Sequence, residues 1–279
     1  MDKTPTKKIL AISGGIDSVV LLHKFRNDKT VIVAHFNHGT RPSADTDEKF
    51  VKNLALKYQK PFFSKKESLG ANVSEETARA RRYAFLEAIA KQQNGKIYTA
   101  HHADDIIETV AINLVRGTGW RGLTPMNSEN ISRPLRKFNK KDIYKYAAKH
   151  NLAFRQDPTN HEDKYLRNRL RENLASLTQK DRKDLKKLIK SQTKLRRKIE
   201  KILNKTITEN NSYPRRFLKI LPDEVATEFL RIALKKVNKS ATIPQLALLL
   251  QSLRTLPSGK KYNLSKDYYI KVTKTNFYL

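Results

Sequence analysis

Ser13-Gly14-Gly15-Ile16-Asp17-Ser18 is the stretch that decides how this chain is read. It follows the apolar run Ile9-Leu10-Ala11-Ile12 and precedes Val19-Val20-Leu21-Leu22-His23. The first run reads as a buried strand and the second as the opening turns of a helix. A strand, a small-residue turn and a helix start form a concave nest of backbone N–H groups, and such a nest binds phosphate. Two glycines let the backbone approach an anion closely, and the Ser13 and Ser18 hydroxyls can add donors. Asp17 puts a carboxylate where bare phosphate binding would not want one. That argues for a divalent cation or an amine beside the phosphates. Two familiar nucleotide loops do not fit. No lysine follows the glycines as the Walker loop requires, and Val19 and Val20 stand near where the dinucleotide fingerprint needs its third glycine.

At 279 residues the chain is long enough for two domains and a sizeable core. Its formal charge is +30. A field of that size concentrates polyanions and speeds their arrival, which makes nucleic acid the first partner to consider. An anionic membrane is the weaker reading, because no segment approaches the roughly 18 apolar residues needed to span one. Met1–Lys8 is polar, so no signal peptide is expected and a cytoplasmic location follows by default. A lysine-rich coding bias would also inflate the charge, so charge alone does not decide the partner. The chain has no cysteine, hence no disulfide framework, thiolate zinc site or thiol nucleophile.

Strand-like and helix-like segments alternate through the first part. Thr30–Phe36 reads as a buried strand, residues 45–59 carry helical apolar spacing, and Pro61-Phe62-Phe63 begins a third strand. Ser74 has the character of an N-cap for a helix that stops near Asn94-Gly95. Ile97–Ala100 is a fourth strand, followed by a helix from about Ala103 to Val115. The expected fold is α/β, a Rossmann-like parallel sheet with helices on both faces. Ligands in such sheets sit at the carboxyl ends of strands. The Ser13 loop and the His101 region both lie at such ends and are expected to face one crevice. From about Tyr165 to Lys205 the chain turns strongly basic, with an apolar stripe that reads as helix. Leu218–Leu234 and Ile243–Leu253 follow as shorter helical patterns, with Pro222 and Pro244 near their starts. Lys260–Leu279 alternates apolar and polar residues around Ser265-Lys266-Asp267, which suggests a β-hairpin. Residues 1–178 are expected to form the catalytic domain, and residues 179–279 a smaller, mostly helical domain ending in that hairpin.

The second chemical feature is His101-His102-Ala103-Asp104-Asp105-Ile106-Ile107-Glu108-Thr109. On a helix starting near residue 103, Asp104 and Glu108 share a face, and Asp105 and Glu108 are neighbours. Carboxylates clustered at a helix N-terminus suit Mg²⁺ or an ammonium group, or simply cap the helix. The spacing is a poor match for zinc.

Residues 13–18 resemble the PP-loop, S-G-G-x-D-S, of the N-type ATP pyrophosphatases. Together with H-x-x-D-D-x-x-E-T and Arg116-Gly117-Thr118-Gly119, they resemble the tRNA(Ile)-lysidine synthetase family. Asn37-His38-Gly39 with Arg41, Ala78–Leu86, Arg133-Pro134-Leu135, Asp157-Pro158-Thr159-Asn160 and Tyr165–Arg171 continue the match in order. The resemblance covers roughly residues 8–175. The tail resembles the family's small substrate-binding domain more loosely, and the larger additional C-terminal domain of some members is expected to be absent.

The resemblance implies a two-step reaction. ATP adenylates the carbonyl oxygen at carbon 2 of the wobble cytidine in a tRNA(Ile) with a CAU anticodon. The ε-amine of free L-lysine then displaces AMP. It further implies that Ser13, Gly14, Gly15, Ile16, Asp17 and Ser18 hold the pyrophosphate end of ATP, that Asp17 binds Mg²⁺, and that His101 positions the nucleotide. Arg79 and Arg82 would offset charge on the leaving pyrophosphate. Asp105 and Glu108 would hold the lysine ammonium, one carboxylate taking its proton. The catalytic set is thus Asp17, Arg82, Asp105 and Glu108, and family precedent implies a homodimer. The rivals are a cysteine-dependent thiolating relative, which the lack of cysteine disfavours, and a catalytically inactive tRNA-binding protein. Trp120 reads equally as a nucleobase platform or as packing under its loop.

Overall fold

A computed structural model describes residues 6–39, 43–68, 70, 73–126, 128, 130–155, 170, 174, 176–207 and 210–279. Arg41, the Asp157–Asn160 stretch and most of Tyr165–Arg171 lie outside the described residues. The chain divides into two compact units, Met1–Lys190 and Ser191–Leu279.

The first unit is built on a five-stranded parallel sheet. Its strands are β1 (Lys7–Ala11), β2 (Val31–Asn37), β3 (Phe62–Lys66), β4 (Gly95–Tyr98) and β5 (Ile131–Ser132), ordered β3-β2-β1-β4-β5. β1 shows why its sequence is apolar throughout. Ile9 points into a cluster with Ile32, Leu86, Ile89 and Ile97, while its neighbour Leu10 points into another with Val20, Val33, Val51 and Ile143. Side chains alternate across a strand, so a strand covered on both faces must be apolar at every position. The covering helices are α1 (Ile16–Lys24), α2 (Ala44–Lys57), α3 (Glu75–Gln92) and α5 (Lys140–Lys149), while α4 (Ala103–Val115) packs through Ile106, Ile107 and Val110 on Leu123, Leu185 and Ile189. Leu86 and Ile89 place α3 on one face; Val20, Val51 and Ile143 place α1, α2 and α5 on the other. This is the α/β fold the alternation of segments implied.

Local chemistry sets the helix ends. Ser74 caps α3, accepting a hydrogen bond from the Thr77 amide at 3.1 Å. His102 caps α4 through a reciprocal box in which the Asp105 carboxylate accepts from the His102 amide at 2.8 Å. Asn139 and Asp142 make the same box at the start of α5.

The long helix α6 (Gln179–Thr206) carries the division between the units. In the second unit, α7 (Arg215–Ile220), α8 (Asp223–Lys236) and α9 (Ile243–Thr255) pack on a four-stranded antiparallel sheet. That sheet comprises β6 (Ser212–Pro214), β7 (Lys261–Ser265), β8 (Tyr268–Val272) and β9 (Asn276–Tyr278), ordered β6-β9-β8-β7. The terminal hairpin is present as β7 and β8, but β9 and β6 extend it into a sheet. The single helical pattern read over Leu218–Leu234 is two helices, because the chain breaks at Leu221-Pro222, where proline supplies no N–H. Tyr213, Ile270, Val272 and Phe277 turn inward from the sheet onto Phe229, Leu230 and Leu249.

Candidate active site

Strand order reverses around β1, and the crevice at such a switch point is where an open α/β sheet binds its ligand. The Ser13–Ser18 loop leaves β1 there. Gly14 has φ +94°, a conformation that an L side chain resists. The Ser18 hydroxyl organises the turn: it accepts from the Ser13 and Gly14 amides at 3.2 and 3.1 Å and donates to the Gly15 carbonyl at 2.8 Å. Its proton is therefore committed within the loop. The returning chain pins the turn from outside, with the Arg155 amide donating to the Gly14 carbonyl at 2.9 Å and the Arg155 guanidinium on Asp47 at 2.9 Å. Among the described residues no side chain caps α1, so its opening amides lack a side-chain partner. A Cβ built on Gly15 would meet only Ser13 Oγ, at 3.6 Å. An uncapped helix start beside an open approach fits a phosphate group.

Asp17, on the first turn of α1, holds the Lys140 ammonium with both oxygens 2.8 Å from Nζ. His102, buried at the end of β4, sets its Nε2 3.6 Å from Asp17 and 3.6 Å from Asp105. Burial pushes the Asp105 carboxyl up, against the opposing pull of His102 and of its amide. Asp104 is engaged elsewhere: one oxygen accepts from the Lys140 amide at 2.7 Å and the other from Arg182 at 3.1 Å. Glu108 is buried one turn further along α4. The structure thus brings Asp17 and Asp105 together around His102, with Lys140 as their cation.

A second grouping flanks it. The Arg79 and Arg82 guanidinium groups lie 5.0 and 5.6 Å from the centre of the Tyr83 ring. His101 accepts or donates at Nδ1 to the Thr99 hydroxyl at 2.8 Å. Burial, reinforced by Arg133, Arg79 and Arg82, lowers its pKa to about 3. It is a neutral imidazole at any ordinary pH, available for hydrogen bonding rather than charge. Trp120 is partly exposed, with the Arg121 guanidinium over its ring.

A family model described as a PP-loop domain matches residues 1–178. The chain belongs to the PP-loop family. Among curated proteins, this PP-loop chain is similar to a bifunctional protein TilS/HprT of Listeria monocytogenes, 37% identical over 191 residues, covering 62% of this chain and 29% of the relative. It is also similar to a tRNA(Ile)-lysidine synthase of Streptococcus pyogenes, 31% identical over 289 residues, covering 96% of this chain and 64% of the relative. The chain therefore spans less than two thirds of the length of these relatives. Among solved structures, a U34-tRNA thiolase, NcsA, from Methanococcus maripaludis with its [4Fe-4S] cluster has the same PP-loop fold. The TM-score is 0.57 at 14% identity, over 69% of this chain and 73% of that one.

A PP-loop domain uses ATP, and the uncapped start of α1 suits its phosphates. For a metal, the described residues hold no group of three or more His, Cys, Asp or Glu side chains placed as ligands. Mg²⁺ at a nucleotide needs only one or two carboxylates besides the phosphates, and Asp17 can supply one. Two participants escaped the motif reading. Lys140 stands 123 residues from Asp17 in a chain with 57 lysines and arginines, so nothing local marks it. His102 was passed over for His101; its position as N-cap three residues before Asp105 was the signal that could have found it.

Proposed function

We propose that this chain ligates free L-lysine to carbon 2 of the wobble cytidine of a tRNA(Ile) with a CAU anticodon, consuming ATP. The observation that carries this reading is the alkylammonium of Lys140 already seated on Asp17, beside His102 and Asp105. A crevice that places an ammonium next to an uncapped helix start can serve both halves of the reaction: phosphate chemistry and amine attack.

In the first half, the amides at the start of α1 hold the phosphates of ATP while the cytidine O2 attacks the α-phosphorus and pyrophosphate leaves. Arg79 and Arg82 stabilise the departing charge, and Lys140 turns from Asp17 toward it. Mg²⁺ held by Asp17 would neutralise the phosphate oxygens. His101, neutral, accepts or donates a hydrogen bond to the nucleotide without competing with the arginines for charge. In the second half, Asp105 and Glu108 hold the lysine ammonium. Burial raises the pKa of Asp105, which suits it to take the ammonium proton. The freed amine attacks carbon 2, the C–O bond to AMP breaks, and lysidine remains. On this reading residues 1–178 are catalytic, residues 179–279 bind tRNA, and the enzyme works in the cytoplasm as a homodimer. Among the described residues no helix is long and apolar enough to cross a membrane.

The test is incubation with ATP, labelled lysine and tRNA(Ile) carrying C or U at the wobble position. Label is expected only in the C-containing tRNA, with one AMP released per lysine. Label in the U-containing tRNA, or none in either, overturns the reading.

A further inference from the structure

The four-stranded sheet of the second unit has one face on its helices and one face bare. Outward from the bare face stand Lys261 and Asn263 on β7, Tyr269 and Lys271 on β8, and Tyr278 on β9. Tyr269 is 52% exposed and Tyr278 40%. Their inward neighbours Ile270 and Phe277 are fully buried, so the period-2 alternation aims both phenol rings outward by design of the register. Two features of this face bear on its use. Lys261 and Lys271 are direct cross-strand partners, and like charges directly opposite destabilise a sheet. The Lys261 ammonium also sits 4.0 Å from the centre of the Tyr269 ring. A nucleotide would draw the ammonium off the ring to its phosphate and free that face of Tyr269 for its base. The segment 257–279 carries Lys260, Lys261, Lys266, Lys271 and Lys274 against one acid, Asp267, which lies in the hairpin turn rather than on the face.

We infer that this sheet face binds unpaired RNA, Tyr269 and Tyr278 each stacking a base and Lys261 and Lys271 contacting the phosphates between them. The inference rests on the proposed tRNA substrate and adds a single-strand platform on the second unit. The Lys261–Lys271 repulsion is then relieved by the bound phosphate. Charge complementarity selects a polyanion, and exposed rings on the sheet face select nucleotides that are not already paired.

The experiment compares the full chain with Tyr269→Leu, Tyr269→Phe and Lys261→Gln variants. The probes are a fluorescent single-stranded 12-mer of uridine, the same RNA annealed to its complement, and phosphatidylserine vesicles. Stacking is worth roughly 1–3 kcal/mol per base, so Tyr269→Leu should weaken single-strand binding about 5- to 100-fold, and Tyr269→Phe should retain it. Lys261→Gln should lower the slope of log K against log salt by about one while leaving the tyrosine effect in place. Wild-type binding with no change in Tyr269→Leu overturns the platform while leaving the tRNA reading intact. No binding of the single strand by the wild type overturns the platform, while the lysine-transfer assay on tRNA(Ile) decides the tRNA reading separately. Vesicle binding that falls in these variants while RNA binding does not would reassign the face to an anionic membrane and overturn the inference.

Discussion

Replacing Lys140 with methionine separates a structural ion pair from a working one. Lys140 Nζ lies 2.8 Å from Asp17, but the two side chains are 40% and 32% exposed. Exposed pairs of this kind contribute roughly 1 kcal/mol or less, because water screens them and both side chains lose freedom. Methionine keeps the unbranched shape and the helix propensity at the first position of α5. Thermal unfolding should therefore shift by no more than about 2–4 °C, the change expected from 1 kcal/mol in a chain of this size. The chemical step should suffer far more. Losing one preorganised cation from a transition state that develops negative charge costs about 10²–10³ in rate, or about 3–4 kcal/mol. The assay is transfer of labelled lysine to tRNA(Ile), read beside AMP release and the Tm of the same preparation. Lys140→Arg should recover part of the rate. A Tm loss of 10 °C or more, with activity falling only in proportion to folded protein, would refute the reasoning. So would transfer within threefold of the parent.

Three further outcomes follow from the geometry. Gly14→Ala would place a Cβ 3.4 Å from Phe50, an ordinary contact, so its cost is the left-handed backbone: about 1–2 kcal/mol by urea unfolding, with weaker nucleotide binding by titration. Asp28 bonds Lys8 at 2.7 Å and the Thr30 amide and hydroxyl at 2.8 and 2.6 Å, and its pKa falls to about 2. A carboxyl depressed on folding stabilises above its unfolded value near 4, and that stability is lost as pH falls toward 2. After allowance for solvent screening, Asp28→Asn should cost roughly 1–2 kcal/mol at pH 7 and close to nothing at pH 2; an equal cost at both pH values would contradict this. Arg215 is buried and donates to the Leu253, Leu256 and Thr273 carbonyls at 2.9, 2.8 and 3.2 Å. Arg215→Met strands all three acceptors, so about 3 kcal/mol or more should vanish, with hydrogen exchange rising in β8 and α9 rather than in the parallel sheet.

What the sequence disclosed follows a physical line. β1 and β2 were legible because a strand buried on both faces must be apolar throughout, and α3 and α4 because their ends carry capping chemistry in the chain itself. α5 went unread although Asn139 and Asp142 announce it; its ten residues bury only Ile143 and Ala147, too few for a visible stripe. β5, β6 and β9 have two or three residues each, fewer than an alternating pattern needs to show itself. Within the site, the acids of the two motifs meet through His102. The partner of Asp17 was invisible, since a long-range pair between common residue types leaves no local trace. Ser18 looked like a spare donor, whereas in the fold its hydroxyl is the clasp of its own loop.

The bare start of α1 has a thermodynamic corollary. A helix normally completes its first turn with a side chain, whereas this one leaves that role to a nucleotide. By mass action, nucleotide at a hundred times its dissociation constant adds about 2.7 kcal/mol of resistance to unfolding. Because Val20, Leu21 and Leu22 bury α1 in the core of its unit, that gain protects the whole unit and not one helix end.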